Sequence, residues 1–235
     1  MVEEKLIVYS SGATAPPLKR ASEVFSEKFG TDFEFIVGKV EKLFSTMKGT
    51  EEGDILQCGA EYIFDDAEFK GLVVKHSRRS VGYRKSVILV PIGNPKNISS
   101  LEDLTEKDIK IGIAVSGCLV GIWDDICSKA GLTNQILMNI THHADGCGAV
   151  MSLIHEGKVD TIFGWDAFEN IWPKTSEAIE LPEELQVFRS TGVAILNYSK
   201  KRQLASKFID FLVSKEGKDI YKEFGWTHTA ILPRG

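Results

Sequence analysis

Three of the chain's four cysteines, Cys58, Cys118 and Cys147, each lie close to a glycine where an apolar run gives way to a helical pattern. Thiolates are soft ligands. Three of them suit an iron–sulfur cluster, zinc or Cu(I), and a cluster held by only three protein sulfurs keeps one iron open to an outside group. Two of these thiols precede or begin a helix, where the dipole lowers a thiol pKa and favours the thiolate. Three uncompensated thiolates repel one another, so a cation or cluster is the expected partner. The spacing matches no compact Cys-x-x-Cys motif. The expectation therefore rests on placement, because ligands in open α/β sheets bind at strand-to-helix turns. The competing reading is three small buried side chains, since cysteine is among the most buried residue types. Cys127 is read as structural: about 100° and 1.5 Å per residue carry it to the far face of its helix, roughly 13 Å beyond Cys118.

Other side chains admit two roles. His143, with His142, precedes Cys147 closely enough to act as a further ligand, although a histidine pair in a loop is more often solvated. Asp145 is expected to cap the helix that follows it. Ser10, Ser11 and Thr14 either cap a helix beginning near Pro16 or donate to an anion at its start. Lys39, Lys42, Arg78, Arg79 and Arg84 are expected at the surface. Trp165 and Asp166 either line a site or pack. Asp124, Asp125 and Glu61 show no pairing suited to general acid–base work. Ser-His-Asp ordering, a phosphate loop and a zinc-protease motif are all absent from the sequence.

The elements that position these residues alternate. Strands are expected at Leu6 to Tyr9, Phe33 to Val37, Asp54 to Gln57, Arg84 to Pro91, Lys110 to Val115, Ile136 to Ile140, Asp160 to Gly164 and Gln186 to Leu196. Between and after them, helical spacing runs from about Pro16 to Phe29, Val40 to Lys48, Leu119 to Ala130, Cys147 to Glu156, Lys201 to Val213 and Lys215 to Phe224. Such alternation predicts an α/β fold with mostly parallel sheets covered on both faces.

The chain has 235 residues, 43% hydrophobic and 26% charged, enough for one large domain or two lobes. Its formal charge of -5 gives no general attraction to nucleic acid or anionic membrane. No apolar run reaches the ~18 residues of a membrane span. Met1 to Lys5 run straight into a strand pattern without the features of an export signal, so a cytoplasmic location is expected, or an extracytoplasmic one where a leader has been removed.

Several motifs in order carry a resemblance. They are Ser10-Ser-Gly-Ala-Thr14, Gly53-Asp-Ile-Leu-Gln-Cys-Gly59, Ser86-Val-Ile-Leu-Val-Pro91, Ile113-Ala-Val-Ser116, Phe163-Gly-Trp-Asp-Ala167, and the closing helices from Ala205 to Gly225. Over nearly its whole length the chain resembles the molybdate and tungstate binding proteins of ABC importers, which have the type II solute-binding fold. The resemblance implies two α/β lobes, residues 1–83 with 198–235 and residues 84–197, hinged around a ligand cleft. It also implies that a small oxyanion is held by N–H groups and hydroxyls at Ser11, Gly12, Ala13, Thr14, Lys39 and Val40. In the second lobe it assigns the same role to Ser116, Gly117, Val120, Gly146 and Gly148. A tyrosine that the family often uses stands here as Phe163, and sulfur appears at Cys58, Cys118 and Cys147. The expected function is binding of an oxyanion, an iron–sulfur cluster or a soft metal. The alternatives are plain oxyanion binding for an ABC permease, or a cluster-dependent enzyme.

Overall fold

The computed structural model describes residues 4–230. In chain order the first half runs β1 (Glu4–Ser11), α1 (Ala15–Phe29), β2 (Thr31–Gly38), α2 (Val40–Thr50), β3 (Ile55–Cys58), α3 (Glu61–Phe69) and β4 (Arg79–Pro91). The middle runs β5 (Ile111–Ala114), α4 (Ile122–Ala130), α5 (Thr133–Leu137), β6 (Ile140–Ala144), α6 (Cys147–His155), β7 (Thr161–Trp165), α7 (Phe168–Ile171) and β8 (Ser176–Glu180). The chain closes with β9 (Phe188–Ile195), α8 (Arg202–Val213) and α9 (Lys215–Glu223).

These elements form two compact α/β units. Unit 1 comprises residues 4–83 and 189–229, and unit 2 is centred on Arg84–Phe188. The chain returns to unit 1 at Arg189 rather than near 198, since β9 already pairs with β3 from Gly192 to Ile195.

Unit 1 has the strand order β2-β1-β3-β9, parallel except where β9 runs against β3. Helix α1 starts with Pro16 and Pro17, whose fixed φ suits a first turn. It ends at Gly30, in the left-handed conformation, whose N–H bonds to Ser26 O at 2.8 Å. One apolar face of α1 packs through Phe25 against Phe33, Phe208 and Phe211, which joins β2, α1 and α8 in one aromatic cluster.

Unit 2 has the order β4-β7-β5-β6, with β8 on the other side of β4. Strands β5, β6 and β7 are parallel, and β4 runs against β7. Every residue of β5 and β7 is buried, as expected of strands covered on both faces. A bulge at Thr141 shifts the β5–β6 register, so that Ile111 opposes Ile140 but Gly112 opposes His142. The strand expected at Ile136 to Ile140 begins only at Ile140, because Thr133–Leu137 forms the short helix α5 with Ile136 buried beneath it.

Candidate functional site

In unit 1, β1 ends at Ser11 and the chain makes a 3₁₀ turn over Gly12–Thr14 before α1. Three hydroxyls gather there: Thr14 Oγ1 lies 3.2 Å from Ser10 Oγ and 3.0 Å from Ser11 Oγ, and also donates to Ser11 O at 3.1 Å. None of them caps a helix terminus; neither Ser11 nor Thr14 makes a side-chain cap bond. The first-turn N–H groups are thus left to other acceptors. The turn is braced from below. Gln57, fully buried in β3, donates Nε2 to Thr14 O at 2.7 Å and accepts the hydroxyl of buried Tyr221 on its Oε1. Sequence patterns gave no sign of this role, since Gln57 reads only as one residue of a buried strand; a lone amide in such a run is the available signal. Lys39 precedes α2 in extended conformation without a side-chain cap, and Val40 opens that helix. A groove of about 540 Å³ opens beside the turn, with Gly12, Pro16, Lys19 and Arg20 among its walls. Cys58 ends β3 fully buried, opposite Gly192 of β9.

Unit 2 brings sulfur together. The adjacent parallel strands β5 and β6 end level, Ala114 opposite Ala144, so their following turns are neighbours. The first turn carries Cys118 in a 3₁₀ segment over Gly117–Leu119, and the second leads through Gly146 to Cys147 at the first position of α6. Gly117 and Gly146 have φ of 73° and 95°, which is why glycine stands before each cysteine. Cys118 Sγ and Cys147 Sγ are 3.0 Å apart.

Two more groups converge on Cys118 from the strands on its other side. Arg84, at the start of the unit 2 part of β4, donates Nη1 to Cys118 Sγ at 3.1 Å. Trp165, ending β7, donates Nε1 to the same sulfur at 3.3 Å, and the Arg84 guanidinium lies 4.8 Å from the Trp165 ring centroid. Arg84 is 0% exposed, not a surface residue as expected from its charge, because the sulfur, the indole and the strand ends enclose it. The hydrogen bond from Cys147, the Arg84 charge and the Arg84 and Trp165 donors hold the Cys118 thiol well below the usual range against its burial. The same hydrogen bond, together with burial, pushes the Cys147 thiol up. Of the two sulfurs, Cys118 is the one whose ionised form the surroundings favour, and Cys147 the one they keep protonated.

The remaining expected residues fall around this pair. Ser116 donates to Asp145 Oδ1, which ties the turn after β5 to the turn that leads into α6. Val120 and Gly148 are exposed on the two turns. His143 is exposed on β6, and His142 shares a 2.9 Å hydrogen bond with Thr141. Cys127 is buried in α4, its thiol pushed up to about 12 by burial and by Asp124. Arg78 stacks on Phe64 and pairs with Asp65. Phe163 lies in the core opposite Ile88. Among the described residues, no three His, Cys, Asp or Glu side chains gather as a metal site requires. No described helix is long and apolar enough to cross a membrane.

The architecture is the type II solute-binding fold. The family described as bacterial extracellular solute-binding protein matches residues 6–227, and the chain belongs to it. L-phospholactate-bound PEB3 is similar at 25% identity with a TM-score of 0.84, covering 95% of this chain and 100% of its own. The Azotobacter vinelandii periplasmic molybdate-binding protein is 14% identical with a TM-score of 0.77, covering 96% of this chain and 100% of its own. SubI, the sulfate-binding protein of Mycobacterium tuberculosis H37Rv, is 14% identical with a TM-score of 0.80, covering 95% and 86% respectively. No curated protein sequence matches the chain. The chain is a solute-binding protein of this family.

Proposed function

We propose that this protein binds a small oxyanion, either a free tetrahedral ion or the phosphate of a small phosphorylated acid, and presents it to an ABC permease. The observation that carries the reading is the Ser10, Ser11 and Thr14 hydroxyl cluster at the start of α1. Its hydroxyls bond to one another instead of capping the helix, and Gln57 and Tyr221 hold the turn in place. Such a cluster holds Ser11, the half-buried hydroxyl of the three, beside the first-turn N–H groups of a helix, where the dipole also favours negative charge. Lys19 adds positive charge along the neighbouring groove, where Arg20 is paired with Glu23. In unit 2 the start of α6 at Gly146 and Gly148 lies next to Ser116, at a second helix N-terminus. PEB3 supports the phosphorylated-acid class, since that similar protein is known with L-phospholactate bound.

Titration calorimetry with phospholactate, phosphate, sulfate, molybdate and tungstate tests the reading. At least one is expected to bind, and Thr14→Ala is expected to weaken it by about tenfold, because the hydroxyl that positions Ser11 Oγ is lost. Absence of heat with all five, or a Thr14→Ala variant that binds as tightly as the parent, overturns it.

A further inference from the structure

We propose that Cys118 and Cys147 are a redox-active dithiol that exchanges with an external disulfide and closes a Cys118–Cys147 disulfide within unit 2. The sulfurs stand 3.0 Å apart, about 1 Å beyond the covalent distance of ~2.05 Å. The Cys118 sulfur already has its cation in Arg84. Arg84, Trp165 and Cys147 donate to it from three sides, which occupies the lone pairs that a metal would need. A disulfide needs none of those positions vacated by a cation; the two sulfurs need only approach.

Access decides the order of attack. Cys118 is 6% exposed, and Cys147 is the more exposed residue of the two. The shared proton moves to Cys118, and the Cys147 thiolate attacks one sulfur of the co-reactant RSSR, expelling RS⁻. That thiolate takes the Cys118 proton and leaves as RSH. The Cys118 thiolate then attacks the Cys147 sulfur of the mixed disulfide, and the second RS⁻ departs and is protonated by solvent. Two electrons pass from the protein sulfurs to RSSR, and two RSH are released. Oxidation removes the negative charge that Arg84 now compensates, at the strand ends where Ser116 and Gly146 lie.

The test uses the full chain, reduced and handled without oxygen, with oxidised glutathione as co-reactant and no anion added, so its outcome is independent of the oxyanion reading. After acid quench, unfolding and alkylation, two of the four thiols are expected to be lost, with Cys118 and Cys147 linked and Cys58 and Cys127 alkylated. Dithiothreitol is expected to reverse the link. Cys118→Ser is expected to trap glutathione on Cys147, and Cys147→Ser to slow modification of Cys118 by at least about tenfold. Trp165→Phe removes one donor from the reduced sulfur, so the glutathione equilibrium is expected to shift about tenfold towards the disulfide, ~30 mV. Four thiols surviving oxidation, a link from either cysteine to Cys58, or iron and sulfide bound stoichiometrically to the reduced protein would each overturn the proposal.

Discussion

Asp166 ties the stability of unit 2 to pH in a way that a single atom replacement isolates. Its Oδ1 accepts the N–H of Lys85 at 3.2 Å and of Ala167 at 2.8 Å. Burial nevertheless raises its pKa from 3.8 to about 6, and those two bonds and the Lys85 charge only partly oppose the rise, while Glu180 adds to it. A raised acid favours the folded state where both states are protonated, and that contribution is lost as pH climbs from about 4 to about 6. At about 1.4 kcal/mol per pH unit the interval is worth ~3 kcal/mol, which screening of a partly exposed carboxylate trims to ~2 kcal/mol. Asp166→Asn keeps an Oδ1 for both N–H groups and removes the titration. Urea unfolding from pH 4 to pH 7.5 is expected to show the two proteins equal at the acid end, with the variant about 2 kcal/mol more stable above pH 6. A gap independent of pH, or a variant less stable at neutral pH, refutes the reasoning.

Gly217→Ala is expected to cost at least about 3 kcal/mol in urea unfolding, because a Cβ there would sit 2.3 Å from Phe211 O and 2.5 Å from Leu212 O, backbone atoms that cannot swing aside. Tyr221→Phe leaves the buried Gln57 amide oxygen without its hydroxyl donor, and is expected to lower stability by ~1–3 kcal/mol and to weaken anion binding in calorimetry by loosening the Thr14 turn. Iodoacetamide at pH 8 is expected to leave Cys127 unmodified in the native protein, and peptide mapping reads this directly, since only the thiolate alkylates.

Most strands and helices were legible in the sequence because their signals are local: apolar runs such as Ile111–Ala114, proline at the start of α1 and glycine at its end. The turns carrying Ser11, Thr14, Cys118 and Cys147 followed from the same alternation. What escaped depends on partners far apart in sequence. Arg84 reads as a surface charge until β4 and β7 bring it against Cys118 and Trp165. Nothing local to Asp145 announces the hydrogen bond it accepts from Ser116, twenty-nine positions away. Ile136 has the apolar character of a strand but falls in a helical turn, where Asn139 draws its amide to the carbonyls of Leu104 and Glu106.

The single inserted residue at Thr141 acts as a spacer for everything that follows it in β6. Were Thr141 paired with Gly112 instead of bulged out, His143 rather than Ala144 would stand opposite Ala114, and the start of α6 would be carried about 3.3 Å along the strand. Cys147 would then overshoot Cys118. Deleting that threonine would leave a regular strand with Ala144 still opposite Ala114, so the two sulfurs are expected to stay together, and cross-linking yield with a short bis-alkylating reagent becomes a gauge of strand alignment in this half of the molecule.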